Sequence, residues 1–466
     1  MSNTDASAAK RRSTETGDRD GTDSSDGEAP PGPDGWPVIG NTLQFVRDPF
    51  AFYDDLASYG DVVRYRLAGQ TWTTLLHPDH VERVLVEDAH RFERYNFEEF
   101  GPEFAPEGLL MTRGERWRRQ RELIQPAFTP AKVAAFADAI VDRTVDAVED
   151  WTDGETIAAN REFSGLTLEI LTKTLFDLDL DDRRDAVTAA ARELNERGDS
   201  RRLSAFLPMW VPTPGNLRYK RRMRRFDEAV ETLIAERRAA GGDDRDDLLS
   251  TLLDAEDENG AALSDAEVRD QLVTFLFAGH ETSSLALTYA VLLLARHDGA
   301  RARLESEVDR VCPDRDPTIA DLSNLEYAGK VVDEAMRLYP PAFVQFREAI
   351  EDVTIDGYRI PEGSKISLPQ FRLHVDDRFY DDPDEFRPER WTDEMRESLP
   401  EYAYFPFGGG PRHCVAMRFA RMELQLVLAT IARRVRFDLE SDPDPELKVA
   451  ATLAPVEDVL VTVRER

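Results

Sequence analysis

The sequence predicts a mainly α protein with smaller β-sheets, an α+β arrangement built as one domain. Three observations point there. Long helix-periodic runs dominate the middle and the end of the chain, above all residues 265–296 and 415–435. Short alternating segments set off by Gly or Pro turns occur near both ends, where they suit small sheets. No linker interrupts residues 35–466, although length alone would suggest about three domains.

Composition narrows the function. Hydrophobic residues are 41% of the 466, enough for a large core. Asp and Glu number 91 against 59 Lys and Arg, so the formal net charge is −32. Such a chain repels nucleic acid and anionic lipid. Only seven of the basic residues are lysines. An acidic, lysine-poor surface resembles proteins from high-salt cytoplasm, where screening tolerates the self-repulsion. The two cysteines, Cys312 and Cys414, make no disulfide framework and suit a reducing compartment. His413-Cys414 has no second ligand pair nearby, which argues against zinc. Residues 1–29 are rich in Ser, Asp, Gly and Thr, without an apolar h-region. They read as a disordered acidic tail and not as a signal or membrane anchor, so the expected location is the cytoplasm and the folded domain is 30–466.

The elements follow in order. Residues 30–37, Pro-Pro-Gly-Pro-Asp-Gly-Trp-Pro, cannot enter a helix or a central strand. Residues 50–59 have helical spacing, and 62–67 and 71–76 alternate about Gly69 as a strand pair. Residues 115–124 are helical, with Trp117 and Arg121 on one face. An indole N–H and a guanidinium there can bind a carboxylate. Several bundle-type helices are expected within 130–240, interrupted at 204–214. The basic run 218–225 reads as a solvated helix face. Ser264 with Glu267 makes a capping box and Leu263 with Val268 a hydrophobic staple. They open a helix expected to reach about Arg296, roughly 45–50 Å long. Although 272–295 is strongly apolar, His280-Glu281-Thr282 at its centre suits a buried helix better than a lipid-facing one. Glu334 and Arg337, three apart on the next helix, can pair. Residues 347–363 and 447–463 read as strands, the second set as a closing sheet whose turn is Ala451-Thr452-Leu453.

Two stretches break local rules. In Ala278-Gly279-His280-Glu281-Thr282, Gly weakens the helix, the Thr hydroxyl can bond the carbonyl of Ala278 and bend it, and a core carboxylate is costly unless used. Conflicts of this kind gather at functional sites. In residues 407–416, Phe-Gly-Gly-Gly-Pro-Arg-His-Cys-Val-Ala, a glycine-rich loop delivers Cys414 to a helix N-terminus. Its partial positive charge is expected to lower the thiol pKa and favour the thiolate, with Arg412 as a cation beside it.

Over about residues 30–466, in order and spacing, these features resemble the cytochrome P450 family. Phe407, Gly408, Gly410, Arg412 and Cys414 match its haem-binding loop, with Ala416 where Gly is commoner. Residues 278–282 are similar to its oxygen-activation motif, with Ser283 where a second Thr is common. The proline stretch resembles its hinge, and 204–214 its loop over the substrate entrance. The resemblance implies the cytochrome P450 fold and a haem-thiolate monooxygenase. Such an enzyme puts one atom of dioxygen into an apolar small molecule and releases the other as water. Cys414 would ligate the iron of haem b (iron protoporphyrin IX). Trp117, Arg121, Arg347 and Arg412 would anchor its propionates, and Phe407, Ala278 and Gly279 would border it, the last two leaving room for dioxygen. Glu281 and Thr282 would deliver protons. Glu334, Arg337 and Arg390 would be structural. Phe97, Phe206, Phe275, Phe343 and Leu453, with Phe100, Phe104 and Trp210, suggest an apolar substrate pocket. Electrons would come from a separate ferredoxin or flavodoxin-type donor, with the arginines of 116–121 as its docking face. Rival readings are a haem-thiolate isomerase, dehydratase or peroxygenase, which often lack the acid–Thr pair, and a haem sensor or carrier, which has no need of it.

Overall fold

The structure is a computed structural model and describes residues 27–95, 104–177, 189–190, 210–240, 247–257 and 260–466. Helix α1 (Pro49–Ala57) begins on Asp48, whose carboxylate accepts from the N–H groups of Phe50 and Ala51. Strands β1 (Val62–Leu67) and β2 (Gln70–Leu75) pair antiparallel, Val62 opposite Leu75. Ala68 and Gly69 between them take φ 48° and 82°, the left-handed geometry a two-residue hairpin needs. The short strand β3 (Phe92–Arg94) follows.

A run of helices comes next: α2 (Gly114–Ile124), α3 (Ala137–Glu149), then strand β4 (Thr156–Ala158), α4 (Ala159–Phe176), α5 (Pro214–Ala240) and α6 (Leu248–Asp254). In α5, Arg218, Arg221, Arg222, Arg224 and Arg225 are exposed, while Tyr219, Met223 and Phe226 are buried. The basic run is thus the outer face of an amphipathic helix. Helix α7 (Asp265–Arg296) has the expected capping box: Ser264 Oγ accepts from the Glu267 N–H at 3.2 Å, and the Glu267 carboxylate accepts from the Ser264 N–H at 2.9 Å. It runs unbroken for 32 residues, so hydroxyl competition does not interrupt it. Residues 270–276 and 283–294 are all buried, which makes α7 the spine of the main core.

Helices α8 (Asp298–Val311) and α9 (Glu326–Leu338) lead to β5 (Val344–Ala349), β6 (Val353–Ile355), β7 (Tyr358–Ile360) and β8 (Lys365–Pro369). The chain ends with α10 (Met417–Arg434), β9 (Val435–Leu439), β10 (Leu447–Val449), β11 (Leu453–Pro455) and β12 (Leu460–Glu465). One sheet has the order β1-β2-β8-β5-β3 and another β4-β12-β9, while β6–β7 and β10–β11 are separate hairpins. The closing sheet read from residues 447–463 is therefore two structures. Alternation identifies strands but not partners, and β12 pairs with β4, some 300 residues upstream. Among the described residues no helix is long and apolar enough to cross a membrane, and both cysteines are free thiols.

Helix α9 carries the centre of a buried ion cluster. Arg337 donates to both carboxylate oxygens of Glu334 at 2.9 Å. Arg390 donates to the same carboxylate at 2.8 Å, the Trp391 indole at 2.9 Å and the Arg387 backbone N–H at 2.9 Å. The remaining guanidinium hydrogens go to carbonyls: Arg337 to His374, Pro383 and Glu385, and Arg390 to Asp381, Asp382 and Glu385. A buried charge is tolerated when every lone pair and proton has a partner. Glu334→Ala strips the carboxylate from two buried guanidiniums and should cost about 3–5 kcal/mol, read as a large fall in the thermal unfolding midpoint. A midpoint within a few degrees of the parent would show that the cluster does not hold the fold.

Candidate active site

The cysteine loop is shaped by its glycines. Gly408 and Gly410 sit at φ 70° and 60°, accessible to Gly without steric penalty, and a side chain at Gly410 would meet the Leu85 carbonyl oxygen at 1.7 Å. The Cys414 N–H donates to the Phe407 carbonyl at 2.9 Å and closes the loop. Arg421 lies 5.4 Å over the half-buried ring of Phe407. Helix α10 begins at Met417, later than periodicity indicated. Two expectations about the thiol are corrected. Burial raises its pKa above the ordinary value, more than the Ala416 N–H and the Arg121 guanidinium lower it. Desolvation of the sulfur outweighs the partial charge of a helix end that starts three residues on. The cation acting on it is Arg121, which bonds the His413 carbonyl at 3.0 Å and approaches its ring Nε2 at 3.1 Å. Arg412 instead lies 4.3 Å over the Trp117 ring and donates to the Thr112 carbonyl at 2.9 Å. Trp117 and Arg121 thus share a helix face but serve different partners. Although burial governs its pKa, Cys414 is solvent-accessible: protein atoms crowd its surroundings without covering it.

Beside this loop stands a set of cations short of anions. Arg94 on β3 is directly opposite Arg347 on β5, a like-charge pairing that destabilises a sheet. Arg347 is held down to about 9 by burial and by Arg94 and Arg412. Burial holds Arg94 down to about 10; burial, with Arg94 next, does the same to Arg412. None of the three forms an ion pair among the described residues. Arg347 donates to the Phe346 carbonyl at 2.8 Å. Arg94 was missed at the sequence level; its trace there is an Arg ending a short β-like run, Phe92-Glu93-Arg94. By contrast, the expected docking arginines are already compensated. Arg116 pairs with Glu107 and Glu267, Arg118 with Glu115, and Arg119 with Asp257 and Glu267.

The middle of α7 opens in the same way. Phe277, Ala278, Gly279, Glu281 and Thr282 are half-exposed within an otherwise buried helix, so this stretch faces an interior space. The Thr282 hydroxyl donates to the Ala278 carbonyl at 2.7 Å. A Cβ at Gly279 would lie 2.2 Å from Leu171 Cδ1, so close packing on α4 also asks for Gly there. Glu281 Oε1 accepts from the Thr452 hydroxyl at 3.3 Å. Burial pushes Glu281 up to about 7, against the Thr452 hydrogen bond and the charge of Lys448. Two residues after Glu281, the Ser283 hydroxyl donates to Glu423 of α10 at 2.6 Å. Burial pushes that carboxyl up to about 8, against the Ser283 bond. Glu423 was also missed; its signal is a lone carboxylate on the apolar face of residues 417–434.

The expected substrate residues separate. Phe97, Phe100 and Phe206 lie outside the described residues. Trp210 is 80% exposed. Phe104 meets Phe277 edge-on at 5.2 Å, and Phe275 stacks on Phe128 at 5.5 Å. Phe343 and Leu453 share one apolar cluster with Val344 and Val449. The donor set fits a metal complex that carries carboxylates: a thiol open to space, unpaired guanidiniums beside it, and a helix face of small residues.

A profile of the family described as Cytochrome P450 matches residues 30–461. Cyclooctat-9-en-7-ol 5-monooxygenase of Streptomyces melanosporofaciens is 35% identical over 403 residues, 86% of this chain and 87% of that one. Pentalenene oxygenase of Streptomyces avermitilis is 33% identical, over 90% of this chain and 93% of its own. Among solved structures, the retinoic acid bound cyanobacterial CYP120A1 superposes with a TM-score of 0.85 at 25% identity, covering 95% of this chain and 100% of that one. The heme domain of cytochrome P450DA gives 0.84 at 27% identity, covering 94% and 98%.

The Glu423 carboxyl ties stability to pH. Its folded pKa of about 8 lies above the ordinary 4.5. The stability it contributes is therefore fully present below about 4.5 and is lost as pH rises through about 8. Glu423→Gln keeps the size and removes the proton. Urea unfolding at pH 5, 7 and 9 should show the variant gaining on the parent with rising pH, by on the order of a few kcal/mol across that range. Parallel pH dependences would mean that Glu423 is already ionised in the folded protein at neutral pH.

Proposed function

Given that the chain belongs to the cytochrome P450 family and is a haem-thiolate monooxygenase, we propose that it inserts one atom of dioxygen into a compact apolar substrate of terpenoid type. The cofactor in this reading is haem b, with Cys414 as the iron ligand. The observation that carries it is the charge imbalance beside the thiol: Arg94, Arg347 and Arg412 have no carboxylate partner among the described residues. Two propionates supply the missing anions and relieve the repulsion between Arg94 and Arg347. Arg121 favours the Cys414 thiolate, and Trp117 holds the Arg412 guanidinium level. Phe407, Ala278 and Gly279 border the cofactor. Glu334, Arg337 and Arg390 act structurally.

When bound, a thiolate-ligated haem supplies the chemistry of dioxygen activation and O–O cleavage. The protein's own part is proton handling. A carboxyl pushed up to about 7 both holds and releases a proton near neutral pH, the match a general acid needs. Glu281 takes the proton and Thr282 presents it, its hydroxyl poised by the Ala278 carbonyl at 2.7 Å. The apolar cluster that holds Phe343 and Leu453 supports an apolar substrate. The names of the cyclooctat-9-en-7-ol and pentalenene enzymes point to the same class. Electrons come from a separate ferredoxin or flavodoxin-type donor. Because Arg116, Arg118 and Arg119 are already paired, that donor docks by shape as well as by charge.

The reduced CO complex should show the red-shifted Soret band of thiolate ligation, and Cys414→Ala should abolish it. An imidazole-type band, or a band that survives the substitution, rejects Cys414 as ligand. Thr282→Ala should leave haem content unchanged while product per electron consumed falls roughly tenfold, since water can stand in for part of what a positioned proton donor contributes. Unchanged coupling removes Thr282 from the relay.

A further inference from the structure

The hairpin β10–β11 reaches α7 at its most unusual side chain. Its turn is pinned from two sides and closed by a bond of its own. The Tyr289 hydroxyl donates to the Leu453 carbonyl at 2.8 Å, and that ring stacks on Tyr339 at 4.8 Å. The Leu453 N–H donates to the Pro341 carbonyl at 3.0 Å, and the Ala450 N–H to the Thr452 carbonyl at 3.1 Å. Thr452 and Leu453 are 4% and 1% exposed. The Thr452 hydroxyl therefore has little freedom to leave Glu281 Oε1, 3.3 Å away. Lys448, on the same hairpin, is half-buried and makes no ion pair among the described residues. It is one of seven lysines in a chain whose positive charge is otherwise arginine.

We infer that Thr452 and Lys448 are positioning residues for proton delivery: the closing hairpin, and not α7 alone, sets the proton affinity of Glu281. This rests on the reading of Glu281 as a proton carrier. The physical basis is simple. A hydrogen bond donated to the carboxylate and a cation near it both favour the charged form, and both act strongly where burial has removed water. They oppose the burial that otherwise keeps Glu281 protonated, and bring it to a value useful near neutrality. The other charged groups around it are engaged elsewhere. His280, its neighbour on α7, is buried against the Leu276 carbonyl, and burial lowers its pKa. Glu423 of α10 is held by Ser283. On α9, Glu334 and Arg337 are paired with each other, and on α4 Lys173 is paired with Asp177. The hairpin also carries Val449 and Leu453 of the apolar cluster that contains Phe343. One element thus touches both the expected substrate lining and the proton carrier.

The test is an infrared titration of the full-length, haem-loaded protein, following the protonated carboxyl band that Glu281→Gln removes. Thr452→Val and Lys448→Met should each move its titration to higher pH, by about half a unit to one unit. Thr452→Ser, which restores the hydroxyl, should titrate like the parent. The high-pH limb of the turnover profile should shift in the same direction. Titrations of Thr452→Val and Lys448→Met that coincide with the parent overturn the inference, as does a shift in Thr452→Ser equal to that in Thr452→Val. If Glu281→Gln leaves coupling intact while the band shifts as expected, the hairpin's control of proton affinity stands and the relay role of Glu281 falls.

Discussion

A single buried carboxylate organises the approach to Cys414. Glu334 holds Arg337, and Arg337 donates to the His374 carbonyl at 2.9 Å. The ring Nε2 of His374 accepts the Phe405 N–H at 3.0 Å, and burial, with Arg337 next, holds that ring down to about 3, so it stays a neutral acceptor. The Phe405 carbonyl accepts the Gly408 N–H at 2.8 Å, and the Phe407 carbonyl accepts the Cys414 N–H at 2.9 Å. A chain of directional bonds thus runs from a buried ion cluster to the backbone of Cys414. Buried ionic groups are poor sources of net stability, but they tolerate only one geometry. That selectivity is what a cysteine on a glycine-rich loop lacks by itself.

Around the sulfur the molecule is arranged against its own electrostatics. The thiol is raised by burial, three guanidiniums lack carboxylates among the described residues, and two of them oppose one another across a strand pair. None of these choices makes sense for a protein that ends at its own atoms. Each is relieved by a ligand that brings a metal to the thiol and carboxylates to the arginines. The same logic explains the contrast with α2, where Arg116, Arg118 and Arg119 all find acidic partners. In a chain of net charge −32, three desolvated arginines grouped together with no ion-pair partner among the described residues are what points to a binding site.

The interior of α7 follows a second constraint. Hydroxyls at Thr274, Thr282, Ser284 and Thr288 bond carbonyls on their own helix, so polar side chains are satisfied without a partner element. That leaves α7 free to carry Glu281 and Ser283 toward other parts of the fold. Their partners, Thr452 and Glu423, come from the last 50 residues of the chain. Two carboxyls near one helix are tuned differently because one has a hydroxyl and a nearby cation and the other a hydroxyl alone.

By itself the sequence determined whatever depends on neighbours a few residues apart. The Ser264–Glu267 capping box, the hairpin at Ala68-Gly69, the glycine geometry before Cys414 and the Glu334–Arg337 pair are local, and short-range sterics and periodicity decide them. It also set the chemistry on offer: a cysteine in a glycine-rich loop and an acid–Thr pair in a buried helix. Tertiary structure alone decided which charges meet. Arg94 faces Arg347 because β3 pairs with β5, Glu423 reaches Ser283 because α10 packs on α7, and Thr452 reaches Glu281 because the last hairpin folds back onto that helix. The pKa of Cys414 belongs to the same class. A helix end argues for a lowered value, but desolvation depends on every atom packed around the sulfur, and no stretch of sequence contains that sum.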